Sequence, residues 1–286
     1  FSAQQGFDKD ICLSITEQYL PIGLDSAVPK KPFSIALSAT DKIDSLVGFF
    51  GINEKPTSSK DPFALRRLAL SIIRTVIENK NDLKINDLLN YSSTLYQNQG
   101  FSFNNQDLKK ELRGFLKDRF KYYLKEKQIR HDITDAIISS FRLNKLSSSF
   151  EKARSLNKII NSQTGLDITS SYKRASNILE SEMKNNKVNL SNTTDPGIFK
   201  TDSEKNLFKK IGEIRKYFLG INNDENYEHS LTILAGAKKE IFDFFDNVKV
   251  NEENEDLRKN RLELINMLCK TFQNFINFQL LKINNE

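Results

Sequence analysis

Residues 106–127, QDLKKELRGFLKDRFKYYLKEK, decide the fold class. Leu108, Leu112, Phe115, Leu116 and Phe120 recur three and four apart, which is the spacing of one face of an α-helix. Arg113, Lys117, Lys121 and Lys125 fall every four residues and therefore share another face. Asn104 or Asn105 stands just ahead, where an N-cap side chain is needed.

The same periodicity extends outward in both directions. A short amphipathic helix is predicted over 8–19, through Ile11, Ile15 and Tyr19, ending at Pro21; a connection punctuated by Gly and Pro then runs to Pro32. Residues 33–50 are too apolar for a surface helix and belong in a core. Asp61 followed by Pro62 reads as a cap and a first helical residue, opening a helix to about Lys80 that buries Phe63, Leu65, Leu68, Ile72, Ile73, Val76 and Ile77. Asp132 or Thr134 starts a further short helix. Residues 186–203, rich in Asn, Ser and Thr, read as a long loop. Helices are expected near 203–219, 227–248 and 254–283, joined by short links as in an antiparallel bundle. No stretch alternates with period two, and no repeat of fixed length is present. The expected fold class is all-α.

Composition agrees with this reading. The chain has 286 residues, enough for two domains, with 21 Phe as core material and only 11 Gly and 6 Pro. Mean hydropathy is −0.51, and no run of about 18 apolar residues is free of charge, so no membrane span is expected. Residues 1–20 lack the basic and apolar regions of a signal peptide. Cys12 and Cys269 lie far apart in apolar helical stretches, which suits packing in a reducing compartment rather than a disulfide framework or zinc site. Opening at Phe1 with no initiator methionine, the sequence is expected to be a piece of something longer.

Charge is unevenly distributed. The net +6 divides into 25 Lys/Arg against 18 Asp/Glu over residues 1–165, and 18 against 19 over residues 166–286. Residues 109–158 alone hold 14 basic and 6 acidic side chains. Such a surplus suits a polyanionic partner, because each neutralised phosphate releases a counterion. A solvated Lys-rich face is the alternative.

The inventory of reactive groups is short. His131 and His229 stand alone, and there is no phosphate loop, HExxH or nucleophile elbow. Asp41 and Asp44, three apart on an apolar helix, are the one carboxylate pair to weigh for metal or acid–base work; a packing or capping role beside Lys42 is the competing reading.

Five segments carry a resemblance. They are ATDKIDSLVGFF (39–50), KDPFALRRLAL (60–70), SYKRASNIL (171–179), FFDNVKV (244–250) and EDLRKNRLELI (255–265). In this order they resemble the β subunit of bacterial two-subunit, α2β2, glycyl-tRNA synthetases. The resemblance implies the C-terminal end of an HD-like helical domain over 1–95, a basic helical connecting region over 96–165, and a DALR-like anticodon-binding bundle over 166–286. It also implies a cytoplasmic protein whose partners are glycine tRNA and the α subunit, the latter using ATP and magnesium to activate glycine. No catalytic residue, metal ligand or cofactor is expected within this chain. Anticodon-binding bundles also occur in arginyl enzymes, but the first two segments do not fit that alternative.

The residues expected to bind tRNA are Lys173, Arg174 and Asn177 on the YKRASNIL helix, Arg258 and Arg261 near the end, and Arg113, Lys117, Lys121 and Lys125 on the basic helix. RNA is read on unpaired bases by base-edge contacts and stacking while cations hold phosphates, and these side chains supply both. Arg66 and Arg67 are expected to join helix packing or a domain interface instead. Lys249 stands where members of the resembled family usually carry an apolar residue, which leaves position 249 without a transferred role. A metal phosphohydrolase using Asp41 and Asp44, and a helical scaffold that only binds the α subunit, are the competing readings. His131–Asp132 follows the ADKxD-like segment instead of preceding it, as an HD metal motif would.

Overall fold

The computed structural model describes residues 3–23, 25–81, 83–186, 190, 193–220 and 226–282. Among these every regular element is helical: α1 (Lys9–Glu17), α2 (Pro32–Gly51), α3 (Leu65–Glu78), α4 (Ile85–Asn98), α5 (Asn105–Glu126), α6 (His131–Ser139), α7 (Leu146–Ile159), α8 (Gln163–Asn186), α9 (Asp202–Gly220), α10 (Tyr227–Ala235), α11 (Lys238–Asn247) and α12 (Glu255–Gln273), with a few single 3-10 turns. The chain folds as two compact units, one of residues 1–128 and 141–150, the other of residues 129–140 and 151–286. Contacts thus divide the chain near 128 and 150, and residues 96–128 of the expected connecting region belong with the first unit.

In the first unit α2 packs on α1, α3, α4 and α5, and α3 on α5. Ile43, Leu46, Val47, Ala69, Ile72, Ile73, Leu112, Leu116, Phe120 and Leu124 form its core. The apolar excess of α2 is explained by having neighbours on so many sides. Asp61 does cap α3, but from further back than the Asp-Pro signal suggests. Its carboxylate accepts from Leu65 N at 2.8 Å and Arg66 N at 3.0 Å, while residues 62–63 form a turn and Ala64 takes φ +54°. Phe63, expected in the core, is instead 40% exposed and stacks on Phe49 at 4.0 Å between centroids.

Gly48 marks where α4 crosses α2. A Cβ there would meet the Tyr96 hydroxyl at 2.6 Å, and that hydroxyl donates to Asp44 Oδ2 at 3.1 Å.

The second unit is a helical bundle. Its α8 packs on α10, α11, α12 and the 3-10 turn Phe278–Leu280, and α9 packs on α10, α11 and α12. Tyr172 lies at the centre against Phe272 and Phe278, its hydroxyl accepting from Gln273 Nε2 at 2.9 Å. The helix expected over 227–248 is broken at Gly236–Ala237 into α10 and α11. The one expected over 254–283 ends at Gln273; beyond it Phe275, Ile276, Phe278 and Leu281 turn inward and close the end of the core.

Candidate nucleic-acid interface

The YKRASNIL segment occupies the middle of α8, and the helix sorts it by face. Tyr172, Ala175, Ser176 and Leu179 are buried; Lys173 and Arg174 are half-buried and Asn177 is exposed. The structure therefore brings Lys173, Arg174 and Asn177 together at the surface of one helix. Arg174 is not loose in solvent. Its guanidinium carbon sits 4.9 Å from the Phe242 ring centroid and 5.2 Å from that of Phe245, both on α11, and Nη2 donates to Asp246 Oδ1 at 2.6 Å. Next to it Lys238 lies 5.8 Å from the Phe242 centroid and bonds Asp167 at 2.8 Å, a contact that holds the Asp167 carboxyl below its usual range. A guanidinium held against two rings is restrained in position, and its planar fork of donors suits a phosphate or a base edge.

The KNRLELI segment of α12 has a different place. Arg261, expected at the RNA surface, is only 4% exposed. Its Nε donates to Glu204 Oε1 at 2.8 Å, and Nη1 donates to the Lys249 carbonyl at 2.7 Å and to Glu252 at 3.3 Å. Glu204 also accepts from the amides of Lys200 and Thr201 at 2.8 and 2.7 Å, which fastens the start of α9. Burial, the largest single influence, pushes the Glu204 carboxyl up, but hydrogen bonds from Arg261, Thr201 and Lys200 together hold it below the usual range. Asn260 beside it clamps Asp195, donating to its carbonyl at 2.9 Å and accepting from its amide at 2.8 Å. Both side chains are spent inside the protein because they face the α9 start and the preceding segment. Arg258 is half-buried and makes no ion pair among the described residues. At Lys249 only the backbone takes part in this clamp; its side chain is exposed.

On α5, in the other unit, Arg113, Lys121 and Lys125 are exposed and Lys117 is half-buried. Arg113 Nε donates to Asn86 Oδ1 at 3.0 Å. Other basic residues of the 109–158 stretch are committed internally. Arg130 holds Asp132 and the Lys282 carbonyl, and Lys158 holds Glu228. Arg66 bonds the Thr57 carbonyl and faces Asp61 at 3.8 Å.

Asp44, half of the candidate carboxylate pair, accepts from Ser92 and Tyr96 and ties α2 to α4; Asp41 is exposed. Lys42 between them is buried and donates to the Gln18 carbonyl at 2.8 Å and to Ser38. Asp44 therefore serves the α2–α4 contact, and among the described residues Asp41 and Asp44 are not joined on a common partner. Among the described residues no group of three or more His, Cys, Asp or Glu is placed to hold a metal. Nor is any helix there long and apolar enough to cross a membrane.

Comparison with known proteins supplies the family. A model described as "Glycyl-tRNA synthetase beta subunit" matches residues 1–139, and one described as "DALR anticodon binding domain" matches residues 168–284. A "Glycine--tRNA ligase beta subunit" from Rickettsia canadensis is 36% identical over 283 residues, 98% of this chain and 40% of its own length. Proteins of the same description from Rickettsia africae and Cereibacter sphaeroides are 34% and 31% identical, covering 98% and 95% of this chain and 40% and 39% of their own lengths.

The chain belongs to the glycyl-tRNA synthetase beta subunit family.

It spans about 40% of the length of these beta subunits. Within the family frame, the segment matched as an anticodon-binding domain is the α8–α12 bundle, and α8 opens it. In this beta-subunit chain, sequence reasoning does not single out Phe242 and Glu204, and it gives Phe245 and Asp246, inside FFDNVKV, no site role; the structure sets Phe242, Phe245 and Asp246 around Arg174 and Glu204 against Arg261. The one signal for the ring platform is GAKKEIFDFFDN, where Lys238 stands one helical turn before Phe242.

Proposed function

We propose that this chain is the tRNA-recognition part of a glycine–tRNA ligase, with the α8–α12 bundle receiving the anticodon loop of glycine tRNA. The observation that carries this is the match of residues 168–284 to an anticodon-binding domain, on a bundle whose first helix carries half-buried Lys173 and Arg174 and exposed Asn177. Asn177 offers a base edge both donor and acceptor, Lys173 a phosphate charge, and Arg174 a planar fork on a ring platform. In this reading α5 contributes sugar-phosphate contacts through Arg113, Lys117, Lys121 and Lys125. Arg258 remains a candidate contact, and Arg261 acts by holding the bundle together.

The chemical step, glycine activation with ATP and magnesium, then belongs to a separate α subunit in a cytoplasmic α2β2 holoenzyme. Chemical probing tests the reading: bound chain is expected to protect the anticodon-loop nucleotides of glycine tRNA. Protection confined to the acceptor end, or none at all, would set it aside.

A further inference from the structure

In the first unit, α1 turns the wrong side outward for a surface helix. Phe7, Ile11, Ile15 and Tyr19 follow one another four apart, so they line one side of α1 and its two ends. They are 54%, 39%, 48% and 66% exposed. Ile22, in the connection to α2, and Phe33, at the start of α2, are each 60% exposed. The side turned to α2 is polar instead. Among the described residues of α1 only Ser14 is buried. At its start Asp10 faces Lys31 at 3.9 Å, and at its end the carbonyls of Gln18 and Leu20 accept from Lys42 Nζ at 2.8 Å and Ser38 Oγ at 2.7 Å.

An amphipathic helix at the surface of a folded unit buries its apolar stripe and shows its polar face. The reverse arrangement leaves on the order of 400 Å² of apolar side chain in water from these four residues, a patch of the size that marks an interaction surface.

Charge, area and chain length select the occupant. Between Phe7 and Tyr19 stand three acidic residues, Asp8, Asp10 and Glu17, against one base, Lys9, so a phosphate backbone is repelled. Two copies of α1 laid stripe to stripe would bring those carboxylates together, and the stripe is about half of the roughly 800 Å² per partner that stable complexes of separate chains bury. A segment of the same polypeptide does not need that area, because its tether supplies the effective concentration. The chain spans about 40% of the beta subunits it matches and corresponds to their C-terminal part, so the larger share of such a subunit comes before the counterpart of α1.

We propose that the outer side of α1 is the docking surface for an apolar face of the beta-subunit segment that precedes this chain. In the full subunit α1 is then an inner layer, held by polar contacts to α2 on one side and by apolar packing on the other. This assignment is independent of the anticodon reading.

The test is hydroxyl-radical footprinting, read by mass spectrometry, of the 286-residue chain and of the full-length beta subunit bearing it, with rates normalised to exposed Leu219 of the second unit. Oxidation of Phe7, Ile11, Ile15 and Tyr19 is expected to be high in the chain alone. In the full subunit it is expected to fall roughly fivefold or more, the difference between a half-exposed and a nearly buried side chain. Ile11→Lys with Ile15→Lys is expected to leave the melting temperature of the chain alone within about 2 °C of wild type, as surface substitutions do. In the full subunit the same pair is expected to return Phe7 and Tyr19 to the rates of the chain alone.

Equal oxidation of the wild-type stripe in the two proteins would overturn the proposal. So would protection that arises only on adding the α subunit or tRNA, or protection in the chain alone that disappears on dilution, which would assign the stripe to a second copy. Should the lysine variant of the full subunit fail to fold, the wild-type comparison decides by itself.

Discussion

Arg261 and Glu204 meet at 2.8 Å with both side chains almost wholly out of solvent, and this pair joins α12 to the start of α9. Removing one partner strands a buried charge, which costs about 3–5 kcal/mol. Arg261→Ala is therefore expected to lower the urea midpoint of the second unit by an amount corresponding to that loss. A paired apolar replacement does not rescue it fully, because Glu204 also accepts from the amides of Lys200 and Thr201. A stable Arg261→Ala chain that loses tRNA affinity would return this residue to the RNA surface.

The same unit carries an acid dependence with a defined sign. Burial pushes the carboxyls of Glu204 and Asp132 up, but their donors outweigh it and both end below the usual range. Between the depressed folded values and the unfolded values near roughly 4, the unfolded chain binds more protons. The stabilisation is thus complete above that window and is lost as pH falls through the folded values. Glu204→Gln and Asp132→Asn chains should show a shallower fall in stability on acidification, followed by circular dichroism.

Lys42 sets an alkaline dependence in the first unit. Desolvation lowers it from 10.5 to about 8, with Asp41 opposing. Between about 8 and 10.5 the unfolded chain holds the proton that the folded chain has released, so stability rises with pH across that interval. Lys42→Met is expected to remove this rise from the difference between the two chains. Parallel stability–pH curves for wild type and variant would contradict it.

Arg174 and Asp246 form an exposed pair of the kind that holds at most about 1 kcal/mol. Asp246→Asn frees the guanidinium for an RNA phosphate while the rings still hold it. Glycine tRNA should bind up to roughly fivefold tighter, the equivalent of that pair energy. Arg174→Lys, which keeps the charge and loses the planar fork, should bind more weakly than wild type.

For α5 the expectation concerns salt. Replacing Arg113, Lys117, Lys121 and Lys125 by Gln should reduce the slope of log affinity against log salt by about 3, with no change in preference among tRNAs. An unchanged slope would remove α5 from the interface.

Much of this molecule is legible in its sequence because helices announce themselves by period. α5, with its cap at Asn104 and its two faces, is found where the pattern puts it. α4 and α7 have no counterpart in the expectation. α4 is rich in Asn, Ser and Thr, residues that favour competing backbone bonds, and only tertiary packing of Ile85 and Leu89 makes it helical. At Gly236 a continuous apolar pattern hides a break, since period does not report where two helices separate. In the YKRASNIL segment, helical phase separates Lys173, Arg174 and Asn177 from the buried Tyr172, Ala175 and Leu179, as the burial of α8 has it. It says nothing of which cation finds a buried carboxylate: Arg258 and Arg261 look alike in sequence, and Glu204, 57 positions away from Arg261, decides between them.

The bundle of residues 168–284 is proposed to distinguish glycine tRNA by its anticodon. The most direct measurement is the dissociation constant of the full chain for glycine tRNA and for the same tRNA carrying a different anticodon, at one salt concentration. The account predicts tenfold or greater weakening on anticodon replacement, at the scale of a lost base-specific contact. Equal affinity for the two would contradict it.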